Sequence, residues 1–148
     1  MEELDDDVTI LMAEDDDGHA LLVKERFQNT GVCNPFIRFK NGTDIWAFLS
    51  GAASPCIETG KGYLLLLDIR MPGLDGVEVL RRVKSDPRLK SIPVIMLTTT
   101  DDPAEISVCY DLGCNNYLTK PVEFEKFAEV IRRLGLFLVI VKVSKLKA

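Results

Sequence analysis

The sequence contains no long hydrophobic run, and basic residues are missing where acidic ones are concentrated. The longest apolar stretch, residues 134–141, is too short to span a bilayer. The first seventeen residues carry nine acids and no base, so we expect no secretory signal there. The net charge of −5 argues against nonspecific nucleic-acid binding. We therefore predict a cytoplasmic protein that binds neither membranes nor nucleic acid.

Histidine and cysteine are scarce as well. His19 is the single histidine and opens a predicted helix, a position typical of a surface residue, so we assign it no chemistry. The four cysteines are Cys33, Cys56, Cys109 and Cys114, and no two of them have CxxC spacing. This pattern favours reduced, partly buried thiols over disulfides or a metal site.

What the sequence does contain is a regular alternation of apolar segments and helix-compatible segments. At 148 residues, with 47% hydrophobic and 28% charged residues, the chain has the length and composition of one folded domain. The predicted strands are residues 8–13, 33–39, 63–67, 93–97 and 116–119. The predicted helices are residues 19–28, 43–49, the segments that follow Asp75 and Asp102, and residues 124–134. The strands are apolar throughout, which favours a parallel sheet covered by helices on both faces.

Three of the predicted helices begin at acidic residues. Asp75, followed three residues later by a glutamate, has the spacing of a capping box. Asp102 is followed by a proline at the first helical position, and Gly113 is predicted to end that helix. Asp16 and Asp17 are expected to be solvated, with Asp17 capping the first helix.

Polar residues follow the apolar strands directly. The stretch YLLLLDIRMPGLDG, residues 63–76, runs four leucines straight into Asp68, and the first strand ends at Glu14 and Asp15. Thr98 ends the fourth strand and Lys120 follows the fifth. Because ligands bind at the carboxyl ends of strands in an open parallel sheet, we expect these side chains to gather at one edge.

Carboxylates that converge in this way repel each other unless a cation neutralises them. Oxygen ligands of this kind favour Mg²⁺, which prefers a few carboxylates, some waters and a phosphate. Lys120 would add a positive charge and Thr98 a hydrogen-bond donor. Such a site can hold a phosphoryl group on Asp68, since an aspartate can act as the nucleophile that forms an aspartyl phosphate.

Four runs in this order, ILMAEDDD, LLLLDIRMPGLDG, PVIMLTTT and YLTKP, resemble the response-regulator receiver domain (CheY-like) of two-component signalling. The resemblance covers roughly residues 8–134. It implies a flavodoxin-like α/β fold, a five-stranded parallel sheet of order 2-1-3-4-5 flanked by five helices. Residues 1–134 would then form the receiver domain and residues 135–148 an apolar and basic C-terminal extension.

The resemblance also implies which residues bind the metal and the phosphoryl group. Asp68 would be the phosphoacceptor. Glu14 and Asp15 would hold Mg²⁺, Asp15 directly and Glu14 through water. Arg70 would contribute its backbone carbonyl.

Three further residues would carry the catalytic and switching roles of the family. Thr98 would be the switch hydroxyl, Tyr117 the aromatic that turns in the switch, and Lys120 the family's lysine, with the Lys120–Pro121 bond cis. Thr99 is larger than the Ala or Gly often found at its position. We expect its bulk to hinder an attacking water and to lengthen the phosphorylated lifetime.

A receiver of this kind catalyses only its own phosphorylation and dephosphorylation. The phosphoryl group would come from a sensor histidine kinase or a phosphotransfer protein, since the chain has no helical phosphodonor histidine of its own. Residues 51–62, the segment SDPRLKSIPV and the apolar tail resemble the small receivers that partner bacterial phytochrome histidine kinases. Several of those form homodimers through the last helix and tail. The tail could equally pack on its own domain as a helix extension or an added strand.

Two alternative functions differ in the residues that they require. A phosphatase of the haloacid-dehalogenase type also uses an aspartate after an apolar strand, but it needs a second acid two residues later, where this chain has Arg70. A degenerate receiver could act as a phosphorylation-independent interaction module. The sequence argues against a degenerate receiver because it keeps all five residues expected of an active site: Glu14, Asp15, Asp68, Thr98 and Lys120.

Overall fold

Five parallel strands form one sheet in the order β2-β1-β3-β4-β5. The computed structural model describes residues 8–29, 34–58, 60–98, 102–120, 125–126 and 129. In chain order its elements are β1 Val8–Ala13, α1 Asp17–Asn29, β2 Phe36–Phe39, α2 Gly42–Ser50, β3 Gly62–Asp68, α3 Gly76–Ser85, β4 Val94–Thr98, α4 Pro103–Leu112 and β5 Asn116–Thr119. The predicted fold class and strand order are confirmed. The fifth predicted helix, 124–134, lies almost entirely outside the described residues.

The leucine-rich strand β3 lies at the centre of the sheet, between β1 and β4. Leu64 and Leu66 pack into the core under α1, whereas Leu65 and Leu67 pack into the core under α2, α3 and α4. Because successive side chains point to opposite faces and both faces are covered, every position must be apolar. Asp68 is therefore the first polar residue after a rigidly buried segment.

The second strand starts later than predicted. It begins at Phe36, and the preceding Asn34 donates a side-chain hydrogen bond to the carbonyl of Val8, with 2.9 Å between Nδ2 and O. Pro35, which has no N–H, only accepts a backbone hydrogen bond, from Ile10 at 2.8 Å. The predicted start at residue 33 did not take this side-chain contact into account. Cys33 itself lies outside the described residues.

Helix caps agree with the sequence except at the first helix. Asp75 accepts from a backbone N–H at the start of α3, and Asp102 does so at the start of α4, as predicted. At α1 it is Asp16, rather than Asp17, whose carboxylate accepts from the His19 N–H, at 2.9 Å. The prediction for Asp17 was wrong: Asp17 is already in the helix, and its carboxylate pairs with Arg38.

The C-terminal end of α4 is a Schellman motif. Gly113 has φ +105°, a conformation that favours glycine. Its N–H donates to the Tyr110 carbonyl at 3.0 Å, and the Cys114 N–H donates to the Cys109 carbonyl at 3.1 Å. The two cysteines are both buried and occupy the positions whose apolar contact accompanies this motif.

Two glycines allow the loop after β3 to pack tightly. A Cβ on Gly76 would lie 2.1 Å from the backbone oxygen of Asp68, and one on Gly42 would lie 1.8 Å from the oxygen of Leu74. The Gly76 N–H also donates to the Ile69 carbonyl at 2.9 Å. The loop between Asp68 and α3 is thus held against both Asp68 and the start of α2.

Candidate functional site

Asp68 is the last residue of β3, and its side chain is 7% exposed. It lies opposite Leu97 of β4, and the next residue, Ile69, donates its N–H to the Leu97 carbonyl at 3.0 Å. The sheet therefore fixes the backbone on both sides of the carboxylate.

The two acids that follow β1 lie beside Asp68. Carboxylate oxygens of Glu14, Asp15 and Asp68 all lie within 4.8 Å of one another. Glu14 is fully buried, whereas Asp15 is exposed. One edge of the sheet thus brings together the three acids that the sequence predicted as metal ligands, with one of them open to solvent.

Lys120 reaches this cluster from the end of β5. Its Nζ lies 3.2 Å from Oδ2 of Asp68 and also pairs with Oε1 of Glu14, and its side chain is 6% exposed. The Lys120 N–H donates to the Thr98 carbonyl at 2.6 Å, which holds the lysine backbone against the end of β4. One buried ammonium group is therefore shared between two buried carboxylates.

Burial dominates the electrostatics of Glu14. Loss of hydration raises the pKa of the Glu14 carboxyl above its usual range, and the hydrogen bond with Asp68 raises it further. The hydrogen bond from Lys120 acts in the opposite direction. Burial therefore disfavours the charged form of this carboxyl, and the Lys120 ammonium offsets part of that effect.

The donor set fits a hard divalent cation. All three acids offer carboxylate oxygens, the ligands that Mg²⁺ prefers. With every carboxylate ionised, these three acids and Lys120 leave two negative charges unbalanced, which is the charge that one Mg²⁺ would neutralise. In the described part of the chain, the Asp15 carboxylate makes no hydrogen bond or ion pair and is free to bind a metal.

The Arg70 side chain forms its ion pair with α4, outside the cluster of Glu14, Asp15 and Asp68. Its guanidinium pairs with Glu105 of α4, with 3.3 Å between Nη2 and Oε2. Both residues line an open pocket of about 480 Å³ that also includes Asp15, Met71 and Pro72. The side chain therefore connects the loop after β3 to α4, a contact that the sequence did not predict.

The two predicted switch residues lie on neighbouring strands. Thr98 is the last residue of β4 and is buried, one position beyond the residue that pairs with Asp68. Tyr117 of β5 lies opposite Met96 and packs, half-buried, against the core under α2, α3 and α4. Thr99, the Lys120–Pro121 bond and the C-terminal tail lie outside the described residues, so the predictions made for them remain predictions.

Sequence reasoning missed two residues near the acids. His19 was assigned no chemistry, yet its Nδ1 lies 3.8 Å from Oε1 of Glu14. Arg38 of β2 binds the backbone carbonyl of Glu14 through two of its nitrogens. The only signal in the sequence was a charged residue inside the apolar strand segment FIRF.

In the part of the chain that the structure describes, no helix is both long enough and apolar enough to span a bilayer.

Three solved structures are similar to this chain over most of its length. A response regulator receiver domain from Rhodospirillum rubrum is 42% identical, with a TM-score of 0.77, covering 95% of this chain and 99% of that one. The bacteriophytochrome response regulator RtBRR is 33% identical, with a TM-score of 0.76, covering 86% and 77%. The Mn²⁺-bound form of response regulator Rcp1, a protein known from Synechocystis sp., is 30% identical, with a TM-score of 0.70, covering 95% and 99%.

The family comparison agrees with the structure. Residues 10–132 match the model of the response regulator receiver domain. The matched segment includes every residue of the acidic cluster, the lysine that pairs with two of them and the strand ends that carry them. The chain belongs to the response regulator receiver domain family.

Proposed function

We propose that this receiver accepts a phosphoryl group on Asp68 from a sensor histidine kinase, or from a phosphotransfer protein, in a Mg²⁺-dependent reaction. Phosphorylation would then change which proteins it binds. One observation carries the proposal: the buried Asp68 carboxylate lies 3.2 Å from Lys120 and within 4.8 Å of two further acids. Membership of a family of signalling proteins that pair with histidine kinases supports it.

Mg²⁺ would be held by Glu14, Asp15, Asp68 and the backbone carbonyl of Arg70. When bound, it would neutralise the carboxylates and stabilise negative charge on the phosphoryl oxygens. The Mn²⁺-bound form of Rcp1 supports a divalent cation in this fold. The exposed Asp15 would let the ion enter from solvent.

The chain's own residues account for the transfer. A carboxylate oxygen of Asp68 attacks the phosphorus of the donor's phosphohistidine, an O–P bond forms, the P–N bond breaks, and the imidazole leaves and takes up a proton. The Lys120 ammonium, buried beside Asp68, stabilises the charge on the transferred oxygens. Its effect is large because the side chains of Lys120 and Asp68 are both buried.

The same proposal explains how phosphorylation becomes a signal. A phosphoryl group adds roughly two negative charges beside Asp68, and the Thr98 hydroxyl would move to donate to one of its oxygens. Tyr117 would turn into the space that Thr98 leaves. The face formed by residues 102–134 would then favour a second conformation and a different protein partner.

Intact-mass measurement tests the proposed phosphorylation. The protein is incubated with Mg²⁺ and an acyl phosphate, with Asp68→Asn and a chelator-treated sample as controls. We expect a mass gain of one phosphoryl group in the wild type with Mg²⁺ only. No gain in the wild type would instead support the degenerate receiver, an interaction module that works without phosphorylation.

A kinase of the bacteriophytochrome class is the proposed donor, which would place the receiver in the cytoplasm. The 33% identity to the bacteriophytochrome response regulator RtBRR supports this choice. Phosphotransfer from a purified bacteriophytochrome kinase should be much faster than from an unrelated histidine kinase. Equal rates from both would refute the assignment of this partner and leave the Asp68 chemistry intact.

The predicted division into a receiver, residues 1–134, and an extension, residues 135–148, is also a proposal. We propose that the last helix and the extension form a homodimer interface, since the extension is apolar. Analytical ultracentrifugation of the full chain and of a chain ending at residue 134 tests this. We expect a dimer for the full chain and a monomer for the shortened chain. The same number of chains per particle in both would contradict the interface.

A further inference from the structure

Arg38 contacts the acidic loop with its whole guanidinium group. Its Nε and Nη2 donate to the backbone carbonyl of Glu14 at 3.0 and 2.7 Å, and its Nη1 donates to Oδ1 of Asp17 at 2.6 Å. The side chain is only 22% exposed. Two hydrogen bonds from this side chain therefore connect β2 to the loop between β1 and α1, and a third connects β2 to the first residue of α1.

The carbonyl that Arg38 binds is part of the peptide unit that joins Glu14 to Asp15. This unit is planar, so fixing its oxygen also fixes the N–H and the direction in which Asp15 leaves the strand. On the other side of Glu14, the N–H donates to the Phe39 carbonyl at 3.0 Å. The backbone of Glu14 is thus held by two neighbouring residues of β2.

Stability alone does not explain the arrangement. Asp17, the other partner of Arg38, has a side chain that is 78% exposed, and exposed ion pairs contribute little to folding. The two bonds to the Glu14 carbonyl are charge-assisted and partly buried. Only the planar fork of arginine can donate both to one oxygen and reach Asp17 as well.

We propose that Arg38 is a positioning residue: it fixes the Glu14–Asp15 peptide so that the Asp15 carboxylate is already placed to bind a divalent cation. This role rests on the proposed function, in which Asp15 holds Mg²⁺. Arg38 would act through the backbone, without contact to the ion. Arg38 lies 24 positions after Glu14 in the chain, and the contact forms because β2 pairs with β1.

The sign of the effect separates positioning from simple electrostatics. Arg38 carries a positive charge close to a cation site, so neutralising it should strengthen Mg²⁺ binding on Coulombic grounds. Positioning predicts the opposite result. Residues that orient metal ligands typically contribute 10- to 100-fold in affinity, so we expect Arg38→Gln to weaken Mg²⁺ binding by about tenfold.

Calorimetric Mg²⁺ titration of the wild type, Arg38→Gln and Arg38→Lys tests the proposal. Arg38→Lys keeps the positive charge but loses the planar guanidinium group, so it should also bind Mg²⁺ more weakly. This variant tests the proposal if Arg38→Gln does not fold. Arg81→Gln is the matched control, since Arg81 of α3 pairs with Glu78 outside the cluster. Its affinity for Mg²⁺ should equal that of the wild type.

Hydrogen exchange of the metal-free proteins gives a readout that does not depend on metal binding. The amides of residues 15–17 should exchange faster in both Arg38 variants than in the wild type. In Arg81→Gln they should exchange at the wild-type rate. Unchanged or tighter Mg²⁺ binding in both Arg38 variants, or unchanged exchange at these amides, would overturn the role of Arg38. Absence of Mg²⁺ binding in the wild type would overturn the proposed function instead.

Discussion

At the scale of single residues, the site depends on how one ammonium group is shared. Lys120 contacts both Glu14 and Asp68, and all three side chains are at least nine-tenths buried. A buried ion pair contributes little net stability when complete, but removal of one partner leaves buried charge without compensation. The sequence predicted Lys120, Glu14 and Asp68 because each follows an apolar strand. It could not predict Arg38, whose contacts depend on how β2 lies against the loop.

Replacement of Lys120 should therefore destabilise the metal-free protein. We expect Lys120→Met to lower the free energy of unfolding by on the order of 3 kcal/mol, since two buried carboxylates lose their cation. Urea unfolding without Mg²⁺ measures this change, and Lys61→Met is a control whose ion pair is exposed. An equal loss in both variants would contradict the buried network.

A second prediction concerns Cys114 and high pH. Burial raises the pKa of the Cys114 thiol from 9.0 to about 12, so the unfolded chain loses this proton first. The stabilising contribution is complete below pH 9 and is lost as the pH rises from 9 towards 12. By pH 10 the loss should be about 1.4 kcal/mol.

Urea unfolding at several pH values between about 8 and 10 tests this effect. Cys114→Ala lacks the thiol at position 114 and keeps the other cysteines, so its stability should fall less steeply with pH than that of the wild type. Parallel curves for the two proteins would contradict a buried, neutral thiol.

At the scale of elements, loop geometry decides where the strand-end residues lie. The caps of α3 and α4 and the glycine that ends α4 were readable from the sequence because each is a local interaction. The start of β2 was not, because Asn34 bonds to Val8, which is distant in the chain. The cap of α1 was not either, because two adjacent acids, Asp16 and Asp17, precede the helix and local pattern does not choose between them. The contact between Gly76 and the Asp68 backbone was not readable either, because it forms only in the folded loop.

Gly76→Ala tests that contact. The added Cβ would lie 2.1 Å from the Asp68 oxygen, which is backbone and cannot move aside without shifting the end of β3. We expect a loss of stability of about 2 kcal/mol and slower phosphorylation of Asp68. Gly18→Ala, in the first turn of α1, is the control and should fold normally, since its nearest atom is the end of the Asp16 side chain.

At the scale of the whole molecule, parallel topology creates the site. Residues as far apart in the chain as Glu14 and Lys120 meet because every strand delivers its carboxyl end to the same edge. Apolar strands separated by helices predict this sheet, and the residue after each strand predicts what gathers at its edge. Cross-element contacts such as Arg70 with Glu105 depend on helix positions that no local pattern encodes.

A metal site formed at the ends of two strands, β1 and β3, should couple ion binding to folding. Mg²⁺ at ten times its dissociation constant should add about 1.4 kcal/mol to the free energy of unfolding. Asp15→Asn should lose most of this gain because Asp15 is the solvent-exposed acid of the cluster. Urea midpoints with and without Mg²⁺ give the comparison, and equal gains in both proteins would exclude Asp15 as a ligand.

Mapping the modified residue tests the central claim most directly. Borohydride reduces an aspartyl phosphate to homoserine, so peptide mass spectrometry after phosphorylation and reduction identifies the acceptor. We predict homoserine at position 68 in samples that contained Mg²⁺, and none in chelator-treated samples. Homoserine at another aspartate, or at position 68 regardless of Mg²⁺, would contradict a metal-dependent phosphoacceptor at the end of β3.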